Sequence, residues 1–549
     1  MFSETPRVAT PSRWPLWVSL IAVVGVFILR LPGIVQPMGP DQGLYATIAW
    51  CMQRGLALYR DLFEQKPPGL FLTYRLGFAL FGSRTSAIFW LDYLAGAGTV
   101  LVLFDLGRRL VSLRFGALTA ALAAFATLPA ARYANGGFVE RSVTEPFVTL
   151  FASAAAWAAV RVFMGRGDSW TFAAGLFVGV AVLYKQTALI YLPALALWML
   201  IATDFARGRR FALYASAGVV VPPLLAFIWL WLRGVLADAW ITLVEYNVAY
   251  LAVGDHGLGF TVNRFAHEVW RRVTGDEVWA VGTVGAVAAV WADRWRSTAA
   301  GRAASLGIVW LAAALTATVA NGPRVFTTYF TTSLAPLSLL SAWLFHQTLG
   351  SGGRRKTAIG LAALAFAAGM IVRSGSMNRL VSSTAWDTRH LLGQTGRQEY
   401  LQRFRSRSAH AFSAADNERL ADYIRAHTDA RDRLFVFGMA AGTYFSSGRL
   451  PASSFLFAYP AVSNMIDQPR FSVEALAAEL VHTAPRYIVL QRHNGDEFSG
   501  WHAMDSFAAP PMVALLRNYR QETEIGDFVL YRRSDREPEL KETGVVVGR

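Results

Sequence analysis

Long apolar runs separated by short polar stretches fill the first two thirds of the chain. A helix that crosses a bilayer needs about 20 mostly apolar residues. Runs of this kind lie at 14–34, 87–106, 114–131, 143–162, 171–184, 187–204, 211–232, 277–292, 302–320, 324–345 and 357–373. Several are short, and 171–184 reads as a bent or partial crossing. The pattern predicts a polytopic α-helical membrane protein of about 11 spans. The first run, Trp14 to Leu31, has no small-residue cleavage site after it and is expected to stay as an anchor.

The pattern changes after residue 373. From 374 to 549 charges become frequent, and strand-like segments appear at Arg433–Gly438, Tyr487–Gln491 and Phe528–Arg533. Helical stretches lie between them, at Glu418–Thr428 and Val473–Thr483. The expected organisation is a transmembrane module over 1–373 and a soluble α/β domain over 374–549.

Charge orders the loops. Arg108, Arg109 and Arg114, then Arg161 and Arg166, Arg207, Arg209 and Arg210, Arg294, Arg296 and Arg302, and Arg354, Arg355 and Lys356 fall in every second one. Short basic loops stay cytoplasmic, together with the N-terminus and its Arg7 and Arg13. The outward side then holds 35–86, 132–142, a turn at Lys185, 233–276, 321–323 and the tail. That is the layout of a multi-pass inner-membrane protein with a periplasmic tail. Composition agrees: 16% of residues are charged, against about 25% in soluble domains, and the mean hydropathy is +0.34. The same topology absorbs the net charge of +15, which in a soluble domain would suggest nucleic-acid binding. No nucleic-acid partner is expected here. The single cysteine, Cys51, excludes an intrachain disulfide.

The first outward loop concentrates the polar chemistry. Gly43–Arg54 and Gly69–Phe81 read as short helices lying on the membrane surface. Pro67-Pro68 separates them. Ahead of the first stands Gly39-Pro40-Asp41-Gln42-Gly43-Leu44-Tyr45, and ahead of the second Gln65-Lys66-Pro67-Pro68-Gly69. Thr144-Glu145-Pro146-Phe147 opens the fourth run. Together, in this order, they resemble the GT-C superfamily of integral-membrane glycosyltransferases. The likeness is to the bacterial branch related to protein O-mannosyltransferases and lipid A aminoarabinose transferases, over roughly residues 14–345. The chain departs from that pattern at Gln42, where many relatives carry Glu, and at Thr328, where others carry His before the Tyr-Phe pair.

The resemblance implies transfer of a sugar from a polyprenyl-phosphate donor to an envelope acceptor, with inversion. Inverting transfer needs a carboxylate to take the acceptor's proton, and Asp41 is the first candidate. Its local pattern equally suits a helix N-cap. Lys66 is a candidate ligand of the donor phosphate, where a cation stabilises the leaving group. It also suits a lysine snorkelling to lipid headgroups. Glu145 matches the family's second acidic position, as an acceptor-orienting group or, with Asp41, one ligand of a divalent metal ion. A carboxylate in a first helical turn also complements the helix dipole. Lys185, between two apolar runs, is an ionisable group at membrane depth, which is costly and points to function. The resemblance puts it near the donor phosphate. Arg324 suits phosphate binding or an interface anchor, and Tyr329 substrate contact or an aromatic belt. Tyr45 is a further candidate for substrate contact. The loop 233–276, with Glu245, Tyr246, Asn247, Tyr250, Asp255, His256 and Arg264, carries no single assigned role.

No Walker-type loop and no Rossmann fingerprint occurs in the sequence. A lipid-linked donor needs no nucleotide site. Two other readings use the same features: a transporter or flippase of lipid-linked sugars, and an inactive structural membrane subunit. Internal repeats, expected of many transporters, do not occur in the sequence.

Overall fold

The structure is a computed structural model that describes residues 14–128, 134–135, 138–139, 141–252, 257–291, 298–349, 354–405, 412–496 and 501–534. Arg7, Arg13, Asp255, His256, Arg294 and Arg296 lie outside the described residues. The chain forms two compact units. One comprises Met1–Pro37, Gln65–Ala237 and Asp255–Tyr400, and the other Met38–Glu64, Asp238–Gly254 and Leu401–Arg549. These bounds differ from the single break expected at 373. Residues 374–400 join the helical unit because Ser376–Leu391 docks beside the 3-10 turn Leu31–Val35, where Gln36 Nε2 donates to Asp387 Oδ2 at 2.5 Å.

The helical unit is mostly α-helical, with 3-10 turns and one short antiparallel strand pair, Ala134–Asn135 with Phe138–Val139. Among the described residues, six helices are long and apolar enough to cross a membrane: Leu16–Val35, Thr85–Leu110, Thr144–Phe163, Phe205–Leu232, Ala299–Val319 and Arg354–Ser374. Leu258–Gly275 and Glu277–Val290 make a seventh only as a pair bent by 103°. The bend sits at Asp276, whose carboxylate accepts from the amides of Val278 and Trp279 and so starts a new helix. The other predicted runs are helical but shorter. Leu113–Ala126, Asp168–Val182, Tyr191–Ala202 and Leu334–Leu349 contain 14, 15, 12 and 16 residues. At 1.5 Å per residue they rise about 18–24 Å, less than a hydrocarbon core of about 30 Å. The run predicted at 324–345 begins as the 3-10 turn Thr327–Ser333 before its helix. Close backbone approaches between Asp168–Val182 and Phe205–Leu232 run through Gly179 and Gly218, facing Val219 and Phe172. Small residues of this kind let helices associate where no hydrophobic drive separates protein from lipid.

The second unit is built on a mixed five-stranded sheet. Its strands are β1 Arg433–Phe437, β2 Leu450–Pro451, β3 Tyr487–Gln491, β4 Tyr519–Ile525 and β5 Phe528–Arg533. The order is β2-β1-β3-β5-β4, with β1 parallel to β2 and β3, and β5 antiparallel to both of its neighbours. The predicted strand at Arg433–Gly438 ends one residue early, and the other two match their expected spans. The helix Ala414–His427 starts four residues before the predicted 418–428 and ends one residue short of it, and Val473–Thr483 is as expected. Phe63, Tyr246, Phe455 and Phe471 pack together in the core of this unit, which explains why 38–64 and 238–254 belong to it.

One expectation about the first loop changes. The helix there is Pro40–Met52, and every residue from Gln42 to Met52 is buried. It is enclosed by protein and does not lie on a membrane surface. The second helix, Gly69–Phe81, does present an apolar stripe, Leu72, Leu76 and Leu80, away from protein.

Candidate active site

In the helical unit the site is organised around the turn that carries Lys185. Thr144–Phe163 starts at Thr144, so Glu145 sits in its first turn, where the positive end of the helix dipole favours a carboxylate. Asp168–Val182 ends just before Lys185 and the 3-10 turn Gln186–Ile190 begins just after it. Lys185 therefore stands at a break in helical structure, and its Nζ donates to Glu145 Oε1 at 2.7 Å. The side chains are 17% and 3% exposed, so the charges pair away from solvent. The other carboxylate oxygen, Oε2, accepts from Thr144 Oγ1 at 2.8 Å. The Lys185 ammonium also lies 3.4 Å from the ring centroid of Tyr329, a cation–π contact. Glu145, Lys185, Thr187, Asn321, Tyr329 and Thr332 line one polar pocket among otherwise apolar helices.

The Lys66 motif meets this turn. The Gly69 amide donates to the Leu183 carbonyl at 2.9 Å. The hydroxyls of Thr73 and Tyr184 are hydrogen bonded at 2.6 Å. Phe147 and Phe151 stack on Tyr184. A Cβ on Gly69 would stand 2.6 Å from the Leu183 oxygen, so glycine is required for this approach. Sequence positions 66, 145, 185 and 329 thus come from four elements of one unit, and 145, 185 and 329 meet at one pocket. Arg324 is buried beside Val325, which takes the unusual φ of 42°.

Asp41 and Tyr45 belong to the second unit. The N-cap of Pro40–Met52 is Gly39, not Asp41. Gln42 Oε1 accepts from the Gly39 amide at 2.7 Å, the return half of a capping box. Gln42, the departure from the Asp-Glu pattern, therefore has a structural task. Asp41 is left as the one exposed residue in an otherwise enclosed helix turn, with Tyr45 Oη donating to its Oδ2 at 3.1 Å. Tyr45 itself is fully buried, so it supports Asp41 instead of forming open surface.

Among the described residues no three His, Cys, Asp or Glu side chains converge as a metal site. Both oxygens of Glu145 accept hydrogen bonds from protein groups, Oε1 from Lys185 and Oε2 from Thr144. From the loop 233–276, Glu245 accepts from Gln468 at 3.0 Å and Tyr246 joins the second unit's core.

Sequence reasoning missed a buried polar network in the helical unit. Arg30 Nη2 pairs with Asp92 Oδ2 at 2.8 Å, with both side chains under a tenth exposed. Asp92 Oδ1 accepts from the Ser142 amide at 3.2 Å. Ser142 has φ of 52°, and its carbonyl and hydroxyl are held by Tyr74 and by the Ile88 carbonyl. Arg141 donates to the Gly33 carbonyl and to Gln36, which in turn holds Asp387, an acceptor also of Tyr400 Oη. The network fixes the chain just before Glu145. Its signal in the sequence was Asp92 itself, a carboxylate inside a predicted span.

Residues 65–245 match the family described as dolichyl-phosphate-mannose-protein mannosyltransferase. No curated protein matches the chain in sequence. Among solved structures, the chain is similar to ArnT from Cupriavidus metallidurans bound to undecaprenyl phosphate. The TM-score there is 0.55 at 16% identity, over 95% of this chain and 98% of that one. It is also similar to the Archaeoglobus fulgidus oligosaccharyltransferase tethered to an acceptor peptide containing the NVT sequon. That match has a TM-score of 0.53 at 13% identity, over 95% of this chain and 74% of that one. The chain thus shares the fold of these solved membrane proteins, and its residues 65–245 match the dolichyl-phosphate-mannose-protein mannosyltransferase family model.

Proposed function

We propose that this protein transfers a sugar from a polyprenyl-phosphate donor to an acceptor of the cell envelope, a lipid, glycan or protein, on the outer face of the inner membrane. The observation that carries this reading is the Lys185–Glu145 pair, an ammonium and a carboxylate held with Tyr329 in a polar pocket among apolar helices. Buried charges at such depth are expensive and are kept for a task. A lipid phosphate is the ligand whose charge that ammonium fits. Further support comes from ArnT, solved with undecaprenyl phosphate bound. The shorter helices complete an eleven-span bundle in this reading, with Gly69–Phe81 at the lipid surface and the tail outside.

The reaction is a single displacement with inversion. The acceptor hydroxyl loses its proton to Asp41 as its oxygen attacks the anomeric carbon. The bond from that carbon to the phosphate oxygen breaks, and the pair of electrons leaves with the polyprenyl phosphate. Lys185, Lys66 and Arg324 stabilise the charge that develops there. Glu145 holds the Lys185 ammonium in place, and Tyr329 covers it.

The test uses the full-length protein in nanodiscs with a panel of synthetic polyprenyl phosphates carrying mannose, another hexose, aminoarabinose or a pentose, with envelope extract as acceptor source. Release of free polyprenyl phosphate should require acceptor and fall by at least about 100-fold in Asp41→Asn, as loss of a general base predicts. Movement of intact donor without release would assign the chain to transport. Full activity of Asp41→Asn would remove Asp41 from the chemistry.

A further inference from the structure

We propose that the C-terminal α/β fold is the positioning element for Asp41, and that Gly442 and Thr47 are the residues through which it acts. The inference rests on the reading of Asp41 as base. It gives the tail domain a catalytic purpose.

A helix that is buried all round takes its orientation from whatever encloses it. Pro40–Met52 is such a helix, with Asp41 as the exposed residue of its first turn. The residues that meet the tail lie one helical face apart, at positions 43, 47 and 50, the i, i+4 and i+7 spacing of a single stripe. Gly43 faces Gly442 so closely that a Cβ on Gly43 would stand 2.8 Å from the Gly442 Cα. A Cβ on Gly442 would stand 3.1 Å from the Gly43 Cα. Thr47 Oγ1 donates to the Ala441 carbonyl at 2.8 Å. The Trp50 ring meets Phe445 edge-on. All three contacts fall on residues 441–445, the short helix that follows β1 and its turn. That segment is tied back to the strand by Tyr444 Oη, which accepts from the Val436 amide at 2.9 Å. Since β1 pairs on both sides, the docking point is part of the sheet's rigid centre.

The far end of the segment is held as well. The Phe63 amide donates to the Ser454 carbonyl at 2.9 Å, and Arg470 donates to the Tyr59 carbonyl at 3.2 Å. The loop that carries Asp41 is thus fastened to the tail at both ends, and the closest contact is backbone on backbone, which no rotamer change can relieve.

A displacement of about 1 Å at a reacting group can cost on the order of 10²-fold in rate. Gly442→Val should therefore lower kcat by about 100-fold with the donor KM unchanged, using the panel donor that turns over. Thr47→Val, close in shape, should lower kcat by about 10-fold through loss of one hydrogen bond, and Thr47→Ser should restore it. Should Gly442→Val fail to fold, Gly442→Ala and the Thr47 pair carry the test. The decisive measurement is the same substitutions in the Asp41→Asn background. If they act through Asp41 they cost nothing further there. Unchanged kcat in both Gly442→Ala and Thr47→Val, or losses that multiply in the Asp41→Asn background, would overturn the proposal. Those outcomes differ from a fully active Asp41→Asn, which removes the base and leaves the docking contact without this purpose.

Discussion

The amide of Gly69 donates to the carbonyl of Leu183 at 2.9 Å, joining the Lys-Pro-Pro-Gly motif of the first loop to the turn that bears Lys185. Neither residue carries chemistry, yet the contact relates two lysines that lie far apart in sequence. A methyl group at position 69 would meet the Leu183 oxygen at 2.6 Å. Gly69→Ala should therefore force the two segments apart, at a cost of about 1–3 kcal/mol. Thermal unfolding of the detergent-purified protein measures that cost. Polyprenyl-phosphate binding should weaken in the same variant, and an unchanged melting point would show that the helix start yields freely.

Lys185 and Glu145 should behave as a coupled pair. Removing one partner leaves the other charged and buried, which costs about 3–5 kcal/mol, whereas replacing both can be close to neutral. Lys185→Ala alone should thus be more destabilised than Lys185→Ala combined with Glu145→Gln. A double-mutant cycle by thermal unfolding reads the difference. Ligand binding separates the roles: Glu145→Gln, which frees the ammonium from its carboxylate, should bind polyprenyl phosphate more tightly, and Lys185→Ala less tightly. Equal affinity in all three proteins would place the phosphate elsewhere.

What could be read from the sequence depended on how local its cause was. Lys185 stood out because an ionisable residue between two apolar runs needs a reason. Strands β1, β3 and β5 announced themselves by aromatic and branched residues. The edge strand β4, Tyr519–Ile525, did not, because its exposed Arg520, Gln521 and Glu524 give it the polarity of a loop. The pattern of Pro40–Met52 reads as a membrane-surface helix, since nothing nearby in sequence reveals that residues 441–445 pack on one of its faces. The capping role expected of Asp41 fell to Gly39 because Pro40, lacking an amide hydrogen, fits the first helical position. Asp92 passed unnoticed because one carboxylate does not spoil the apolar average of a 26-residue helix. Its partner Arg30 lies 62 residues away.

That partner makes Asp92 the member of the missed network most open to a test. Its two oxygens serve different groups, Arg30 through Oδ2 and the Ser142 amide through Oδ1. Asp92→Asn keeps an acceptor for Ser142 and removes the charge. Asp92→Ala removes both. Arg30 also sits over the Phe27 ring, so the guanidinium keeps some support in either variant. Asp92→Ala should lose about 3–5 kcal/mol, the cost of stranding a buried charge, and Asp92→Asn less. If Ser142 sets the start of the Glu145 helix, Asp92→Ala should also lower polyprenyl-phosphate binding, with Asp92→Asn restoring it. Loss of stability without loss of binding would confine the network to structural support.

The second unit should lose stability at both ends of the pH scale through one cluster. Glu522 Oε1 accepts from Tyr423 Oη at 2.7 Å and Tyr487 Oη at 2.9 Å, and Arg532 reaches Oε2. Burial pushes the Glu522 carboxyl up, but the two phenols and the guanidinium outweigh it and hold the group below the ordinary glutamate range. A lowered carboxylate pKa gives stability that is present above the unfolded value, about 4.3, and is lost as pH falls through the folded one. Tyr423 moves the other way: burial first, then its bond to Glu522, pushes it up to about 12. That contribution is present below the unfolded value of about 10 and fades as pH rises through the folded one. Hydrogen exchange of the full-length protein, followed on β4 and β5, should show protection falling below about pH 4 and again above about pH 10. Glu522→Gln should flatten the acid limb, because the group that must be protonated is gone. It should also weaken the alkaline limb, because the phenols then donate to a neutral amide. An acid limb that survives Glu522→Gln unchanged would assign it to another carboxylate.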